Sequence, residues 1–476
     1  MSKIQTIFKN MSWLVISQII ASVCGFVWTI LMARYLGVNN YGILGFAVSI
    51  SGILAIIDDL GISAHIVRHV ATDNESAPKY LGNIIPFKII LAIINLIITP
   101  IILVSLKIDG YTIFITILFT IEIIFKSYAN SLFGVFQAFE KGKYQGIGNI
   151  LMNTTTLLFI LVSIYADLGL LGISISYILA NLITFIYTYN VLNKHVAKPK
   201  FELDWEFCKK ITLLSLPFAI TGILYTIYYS IDIVMLTKIV GDYATGIYNA
   251  TYKLIAVLNL FYSVYTAVIF PVMSKFYQSD KKLLVISYEK SIKYLMLVMI
   301  PLATGTVFYS LDIIQLIYGH QYDAAASVLS ILIWTVCLLF ISGASNNLLN
   351  ASHKEVTVTK IYAIAAVFNV ILNFVMIPYF SYNGAAITTV LSDVLIVVLQ
   401  TYVIYKLGNR VNNKLYFDLT KIIIGSAVLG IALYFLNLNM WVAVPVGIII
   451  YLPIIYLLRF FDDDDKYVIK EILGKN

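Results

Sequence analysis

The sequence predicts an all-α polytopic membrane protein of fourteen transmembrane helices: two six-helix lobes related by a pseudo-two-fold axis, then two C-terminal helices. Three observations lead there. The chain is apolar and broken into stretches of membrane-spanning length, its basic residues fall on one side of the resulting topology, and it repeats itself at an offset of 204 residues (Gly42 to Gly246).

Of 476 residues, 60% are apolar and 12% charged, with mean hydropathy +0.89. Soluble domains carry about 25% charged residues. The apolar stretches run about 20 residues, enough to cross ~30 Å of hydrocarbon as a helix. They lie near 11–32, 42–62, 81–105, 112–135, 147–166, 170–191, 211–236, 246–273, 289–311, 324–345, 358–379, 383–405, 418–436 and 440–460. A β-barrel is excluded, since its strands would alternate apolar and polar residues. The first stretch is longer than a signal-peptide core and lacks a small-residue cleavage site, so it is expected to remain as span 1.

Lys3 and Lys9 precede span 1, which predicts a cytoplasmic N-terminus and, with an even number of spans, a cytoplasmic C-terminus in the plasma membrane. Only Arg34, Lys107, Lys238 and Lys253 then fall on the outer side, and the other 28 of 32 basic residues fall inside. The net charge of +7 therefore orients the chain and attracts anionic membrane lipids, and nucleic acid is not expected as a partner.

In chain order, the turn between spans 1 and 2 reads "RYLGVNNYGILGFAVSI" and holds Arg34, Gly37 and Gly42. Span 2 ends in "IIDDLGISAHIVRHVA", with Asp58, Asp59, His65, Arg68 and His69. This is expected to be a solvated cytoplasmic collar, or a mouth where Arg68 contacts an anionic headgroup. His65 and His69 alone, one turn apart, do not make a metal site.

Spans 3 and 4 carry Lys88, Glu122 and Lys126, whose charges are costly near the bilayer centre (at least ~2.5–3.5 kcal/mol on insertion scales). Glu122 and Lys126 have the spacing of an intrahelical pair. Lys88 has no partner nearby in sequence and is expected to contact an anion.

Span 6 opens with "LGISISYILANLI" and span 12 with "NGAAITTVLSDVL", so that Gly172 matches Gly384 and Asn181 matches Asp393. The segment "NKHVAKPKFELDWEFCKK" reads as a cytoplasmic linker. "KIVGDYATGIYNATYKL" echoes the turn after span 1, with Gly241 and Gly246 in the places of Gly37 and Gly42. An even number of spans separates the copies, so the repeat is parallel, with its axis along the membrane normal. The glycines are read as shaping the turns of two hairpins.

Asp232 in span 7 and Lys253 in span 8 lie at similar depths on consecutive helices and are expected to pair, either as a tether or facing a cleft. Asp393 lies near the midplane of span 12. The tyrosines of spans 7 and 8 fit interface belts, interhelical bonds or a wet cavity that stacks on sugars. The domain order is thus 1–193, a linker at 194–210, 211–407, and 408–476 with spans 13 and 14. The run "DDDDK" at 462–466 reads as a solvated tail. Cys24, Cys208 and Cys337 are isolated, with no disulfide or metal spacing.

Together, "ARYLGVNNYG", "LGISAHIVRHVA", "SIDIVMLTKIVG…TGIYNATYKL", "IFPVMSK" and "NGAAITTVLSD" resemble the oligosaccharide-lipid flippases of the MOP superfamily, the Wzx-type polysaccharide biosynthesis proteins. The resemblance covers essentially the whole chain. It implies transport, not catalysis: a polyprenyl-(di)phosphate-linked oligosaccharide passes from the cytoplasmic to the outer leaflet while its lipid tail stays in the bilayer. Glycosyltransferases or a polymerase of the same pathway would be its partners.

The related lipid II flippases use arginines in spans 1, 2 and 8 to hold the diphosphate. Here only Arg34 and Arg68 lie near those helices, and span 8 offers Lys253, so the expected substrate contacts are Arg34, Arg68, Lys88, Lys126 and Lys253. Glu122, Asp232 and Asp393 are expected as lumen or coupling charges. No cofactor is implied, and the coupling ion, Na⁺ or H⁺, stays open. A cation-coupled multidrug exporter of the same fold is the alternative, against which the two extra spans argue. A membrane glycan polymerase or glycosyltransferase is disfavoured by short outer loops such as the uncharged "YFSYNG".

Overall fold

The computed structural model describes residues 3–461, which contain helices and turns and no strand; the acidic run at 462–466 lies outside the described residues. The helices are α1 (Lys3–Asp59), α2 (Ile62–Val70), α3 (Ala77–Ser105), α4 (Gly110–Ala138), α5 (Gly142–Tyr165), α6 (Gly169–His195) and α7 (Trp205–Ile239). They continue as α8 (Asp242–Ala256), α9 (Asn259–Ser279), α10 (Lys281–Phe308), α11 (Ser310–Tyr318), α12 (Ala325–Ala351), α13 (Glu355–Lys406), α14 (Asn413–Leu436) and α15 (Met440–Leu457).

Among the described residues, 12 helical stretches are long and apolar enough to cross a membrane, with α8 and α9 counted as one. Two of them hold two crossings each. The 48 residues Ser12–Asp59 of α1 would span ~72 Å at ~1.5 Å per residue, more than twice a ~30 Å core. The helical path breaks at Gly37 (φ 70°, ψ 173°), a conformation that side chains disfavour. The 52 residues of α13 break likewise at Ser381 (φ 52°). Each break is the turn of a hairpin, and the crossings number fourteen, as expected. Below, "outer" denotes the Gly37 end of the spans, following the expected topology.

Many hydroxyls sit inside these apolar helices because the helix itself satisfies them. Thr116 donates to the Thr112 carbonyl at 2.7 Å and Thr188 to that of Thr184 at 2.6 Å, each four residues back. Helix starts are capped by acids and amides: Asp109 accepts from the Thr112 N–H at 2.9 Å and Asp204 from that of Phe207 at 3.1 Å.

The chain forms two compact units. The first runs to Lys253 and includes Val370–Tyr382; within it α1 packs along α4, α5 and α7, and α4 along α6. One core joins Ile62, Ile66 and Val70 of α2 to Leu132 and Phe136 of α4 and Ile211 of α7. The linker is held in this unit, its Lys200 and Glu202 N–H groups donating to the Pro78 and Gly82 carbonyls at 3.2 Å each. The second unit holds Leu254–Asn369 and the chain from Asn383, built on α10 with α12, α14 and α15. Within it Lys293 meets Asp418 at 3.0 Å, both 4% exposed, so that a buried ion pair ties α10 to α14.

The repeated glycines do two different things. Gly37 and Gly241 (φ 117°) take left-handed backbone at the turns, as expected. Gly42 and Gly246 instead face a neighbouring helix. A methyl group on Gly42 would lie 1.9 Å from the Asp242 carbonyl oxygen, and one on Gly246 would lie 2.0 Å from that of Val38. Val38 and Asp242 are themselves 204 positions apart, so the contact maps onto itself under the offset of the repeat. Spans 2 and 8 thus cross backbone to backbone about a local two-fold axis.

Candidate functional site

The inner end of α1 departs from the expected collar. Asp58 is 2% exposed and accepts from Asn95 of α3 at 2.6 Å, while Asn95 accepts from Thr99 at 3.0 Å. Asp59 accepts from the Ser63 hydroxyl at 2.5 Å and from Lys88 at 2.8 Å. Lys88 also donates to the Ser131 hydroxyl at 2.6 Å and the Ser127 carbonyl at 3.1 Å. Both acids therefore turn into the protein. Lys88, which has no partner nearby in sequence, finds one 29 residues away: the break at Leu60 and Gly61 brings Asp59 back onto α3, and the ammonium is saturated by three acceptors. An ammonium bonded in this way has little left for an outside anion.

On α2, one face (Ile62, His65, Ile66, Val70) is buried, while Arg68 and His69 are exposed. The His65 and His69 rings lie 4.1 Å apart between centroids, and no group of three His, Cys, Asp or Glu suited to a metal occurs among the described residues. Burial, with His69 and Arg68 beside it, holds His65 down at about 4.

Halfway along the spans the arrangement changes. Counting from the helix starts, Glu122 lies ~18 Å down α4 and Lys253 ~17 Å down α8, and both helices run in the same direction. Because α8 begins at Asp242, Lys253 is deeper than its place seven residues into the expected span 8 (246–273) implies, ~10 Å at ~1.5 Å per residue. Glu122 is buried and accepts from the Asn181 amide of α6 at 2.8 Å. Among the described residues it makes no ion pair with Lys126, contrary to the spacing argument, because it turns toward α6 while Lys126 turns out to an exposed position.

Lys126 and Lys253 are both exposed, lie within electrostatic range of each other, and make no hydrogen bond or ion pair among the described residues. Lys253 continues the stripe Gly246–Asn249 that crosses span 2, one turn deeper. The repeat places Ser49 at the matching position of span 2, buried at 7% exposure, so only one copy carries a cation.

The expected Asp232–Lys253 pair does not form. Asp232 accepts from the Tyr248 hydroxyl at 2.8 Å and from the Asn373 amide at 2.5 Å, which joins α7, α8 and the first half of α13. Asp393 is half-buried in the second unit and engaged within the protein, and Arg34 is exposed at the outer end and likewise engaged. Of the eight expected site residues, the structure brings together Lys126, Lys253 and Glu122.

Sequence reasoning passed over Asn95, Tyr248 and Asn373, the neutral partners of buried carboxylates. Asn181 had left a signal, since the repeat aligns it with Asp393.

The polysaccharide biosynthesis protein family matches residues 7–277, more than half of the chain, and the MatE family matches residues 217–375. An uncharacterized membrane protein of Methanocaldococcus jannaschii is 30% identical over 49% of this chain and 47% of its own length. The capsular polysaccharide biosynthesis protein CapF of Staphylococcus aureus is 23% identical over 84% of this chain and 99% of its own. A probable low-salt glycan biosynthesis flippase of Haloferax volcanii, Agl15, is 24% identical over 78% and 77%.

Among solved structures, the lipid II flippase MurJ in an inward closed conformation superposes with TM-score 0.78 at 16% identity, over 94% of this chain and 98% of that one. An inward-facing multidrug resistance MATE transporter of the MOP superfamily gives 0.66 at 14%, over 81% and 95%. Fourteen crossings, a parallel repeat meeting at its own glycines and a family match over 7–277 agree: this chain belongs to the polysaccharide biosynthesis protein family.

Proposed function

We propose that this protein is a transporter that flips a polyprenyl-(di)phosphate-linked oligosaccharide from the cytoplasmic to the outer leaflet by alternating access, with both termini in the cytoplasm. The observation that carries this reading is the pair Lys126 and Lys253. Two ammoniums halfway through the membrane, in no ion pair among the described residues, would be costly if they faced lipid. They suit a water-filled lumen that takes an anion, whose arrival relieves their mutual repulsion.

CapF, Agl15 and the fold of MurJ lend the reading support. Glu122, at the same depth and bonded to Asn181, is the candidate coupling group. Arg34 and Arg68, exposed at opposite ends of the spans, are suited to meet the headgroup on exit and entry.

The test is flipping of a fluorescent polyprenyl-diphosphate oligosaccharide in proteoliposomes, with wild type against Lys126→Ala and Lys253→Ala. Protein-dependent leaflet exchange that falls in both variants is expected. Exchange unaffected by either change would return the lysines to a structural role. No exchange, together with cation-driven export of small amphiphiles, would favour the exporter, for which the MatE match speaks.

A further inference from the structure

The middle of α7 has two exposed faces. Leu213, Leu216 and Ile220 make an apolar one, 59%, 38% and 55% exposed. Thr221, Tyr225 and Tyr229 recur every four residues on another, and Asp232 continues it three residues on. Thr221 and Tyr225 are exposed there and Tyr229 half-exposed. Thr221 donates to the Pro217 carbonyl at 3.0 Å, four residues back, and the tyrosines carry their rings and hydroxyls on the side of α7 that leads to Asp232 and away from the apolar face.

The rings pack on one another along each of the two helices. Tyr225 and Tyr229 lie 4.5 Å apart between centroids at 50°, and Tyr228 stands edge-on to Tyr229 at 5.2 Å. On α8, Tyr248 and Tyr252 stack at 5.9 Å and 17°. The Asp232–Tyr248 hydrogen bond puts the two helices in register. Tyr229 and Tyr252 then both lie ~15 Å from the outer helix ends, and Lys253 follows Tyr252 directly.

We propose that Tyr225, Tyr229 and Tyr252 form a platform on which the sugar nearest the phosphate stacks while Lys126 and Lys253 hold the phosphate. This rests on the flippase reading and adds to it how the glycan is told from the bare lipid. A pyranose has an apolar C–H face and a hydroxyl edge, and tyrosines supply π faces with hydroxyls at their rims. A lipid tail would gain nothing from the hydroxyls, and a flat aromatic cation would be repelled by the two ammoniums. The platform is neutral, so it selects for a sugar ring without adding to the charge that must release it.

The experiment compares flipping of two fluorescent probes in proteoliposomes: a polyprenyl-diphosphate oligosaccharide and the same polyprenyl diphosphate without sugar. For Tyr225→Ala and Tyr229→Ala, the ratio of glycosylated to bare rates is expected to fall about threefold to tenfold, with the bare lipid unaffected. Tyr229→Phe, which keeps the ring, should retain most of the preference. An unchanged ratio in the alanine variants overturns the platform, as does an equal fall of both rates, which marks a structural role. A wild type that flips both probes equally also overturns it while leaving the flippase reading intact. A wild type that flips neither removes the flippase reading and the platform with it.

Discussion

Replacing Gly42 by alanine adds one carbon, yet the structure leaves no room for it. The new methyl would sit 1.9 Å from the Asp242 oxygen, 2.8 Å from its carbonyl carbon and 3.0 Å from the Gly246 nitrogen. Ordinary contact begins near 3.4 Å, so spans 2 and 8 must separate by roughly 1.5 Å. All three obstructing atoms are backbone, and no rotamer change relieves them. Overpacking of a core costs about 1–3 kcal/mol, and a clash with backbone belongs at the upper end. Gly52, on the same helix, has no heavy atom within 4 Å, and there alanine should gain up to about 1 kcal/mol from helix propensity.

The two variants should therefore differ by about 2–4 kcal/mol in opposite directions from wild type. Thermal unfolding of the purified protein, followed by aggregation or size-exclusion retention, reads the difference. Gly246→Ala should match Gly42→Ala, and the double variant should cost less than the two together, since the helices need part only once. If Gly42→Ala melts with Gly52→Ala, the close crossing is wrong.

Three further outcomes follow from the buried charges. Lys88→Ala should destabilise by about 2–4 kcal/mol because Asp59 loses its counter-charge, and the exchange Lys88→Asp with Asp59→Lys should recover part of that in melting experiments. Asp418→Asn should cost about 3–5 kcal/mol by taking away the carboxylate that the buried Lys293 meets, whereas removal of Lys421, which is 30% exposed and meets Asp418 at 3.2 Å, should cost under about 1 kcal/mol. His65 ionises near 4 in the fold, below about 6.5 in the unfolded chain, so the unfolded state binds the proton first on acidification. Its contribution is flat above about pH 6.5 and lowers stability by about 1.4 kcal/mol per pH unit down to about 4, a slope that His65→Asn should remove from pH-dependent melts.

The fourteen crossings were legible because length and apolarity alone decide whether a helix spans the membrane, and the doubled helices α1 and α13 only hide two of the turns. Carboxylate partners were not. The spacing of Glu122 and Lys126 fits an intrahelical pair, but that spacing only allows contact, and Glu122 finds in Asn181 a donor inside the protein. Lys88 and Asp59 are 29 residues apart, joined by a helix break whose direction local sequence does not specify. The glycine echo was visible as a repeat and its turns were read correctly from Gly37 and Gly241. That Gly42 and Gly246 touch across the axis depends on how spans 2 and 8 cross, which no single copy encodes.

At the two glycines that crossing has the form of an isologous interface: each copy sets a glycine against a carbonyl oxygen of the other, as two subunits of a homodimer do. A surface of this kind is complementary to itself. The full chain behaves at Val38, Gly42, Asp242 and Gly246 as a dimer whose subunits have been joined by a tether. Covalent joining is what allows the two copies to differ, with a buried serine at 49 and a lysine at 253. A true homodimer would have to carry that lysine on both sides of its axis.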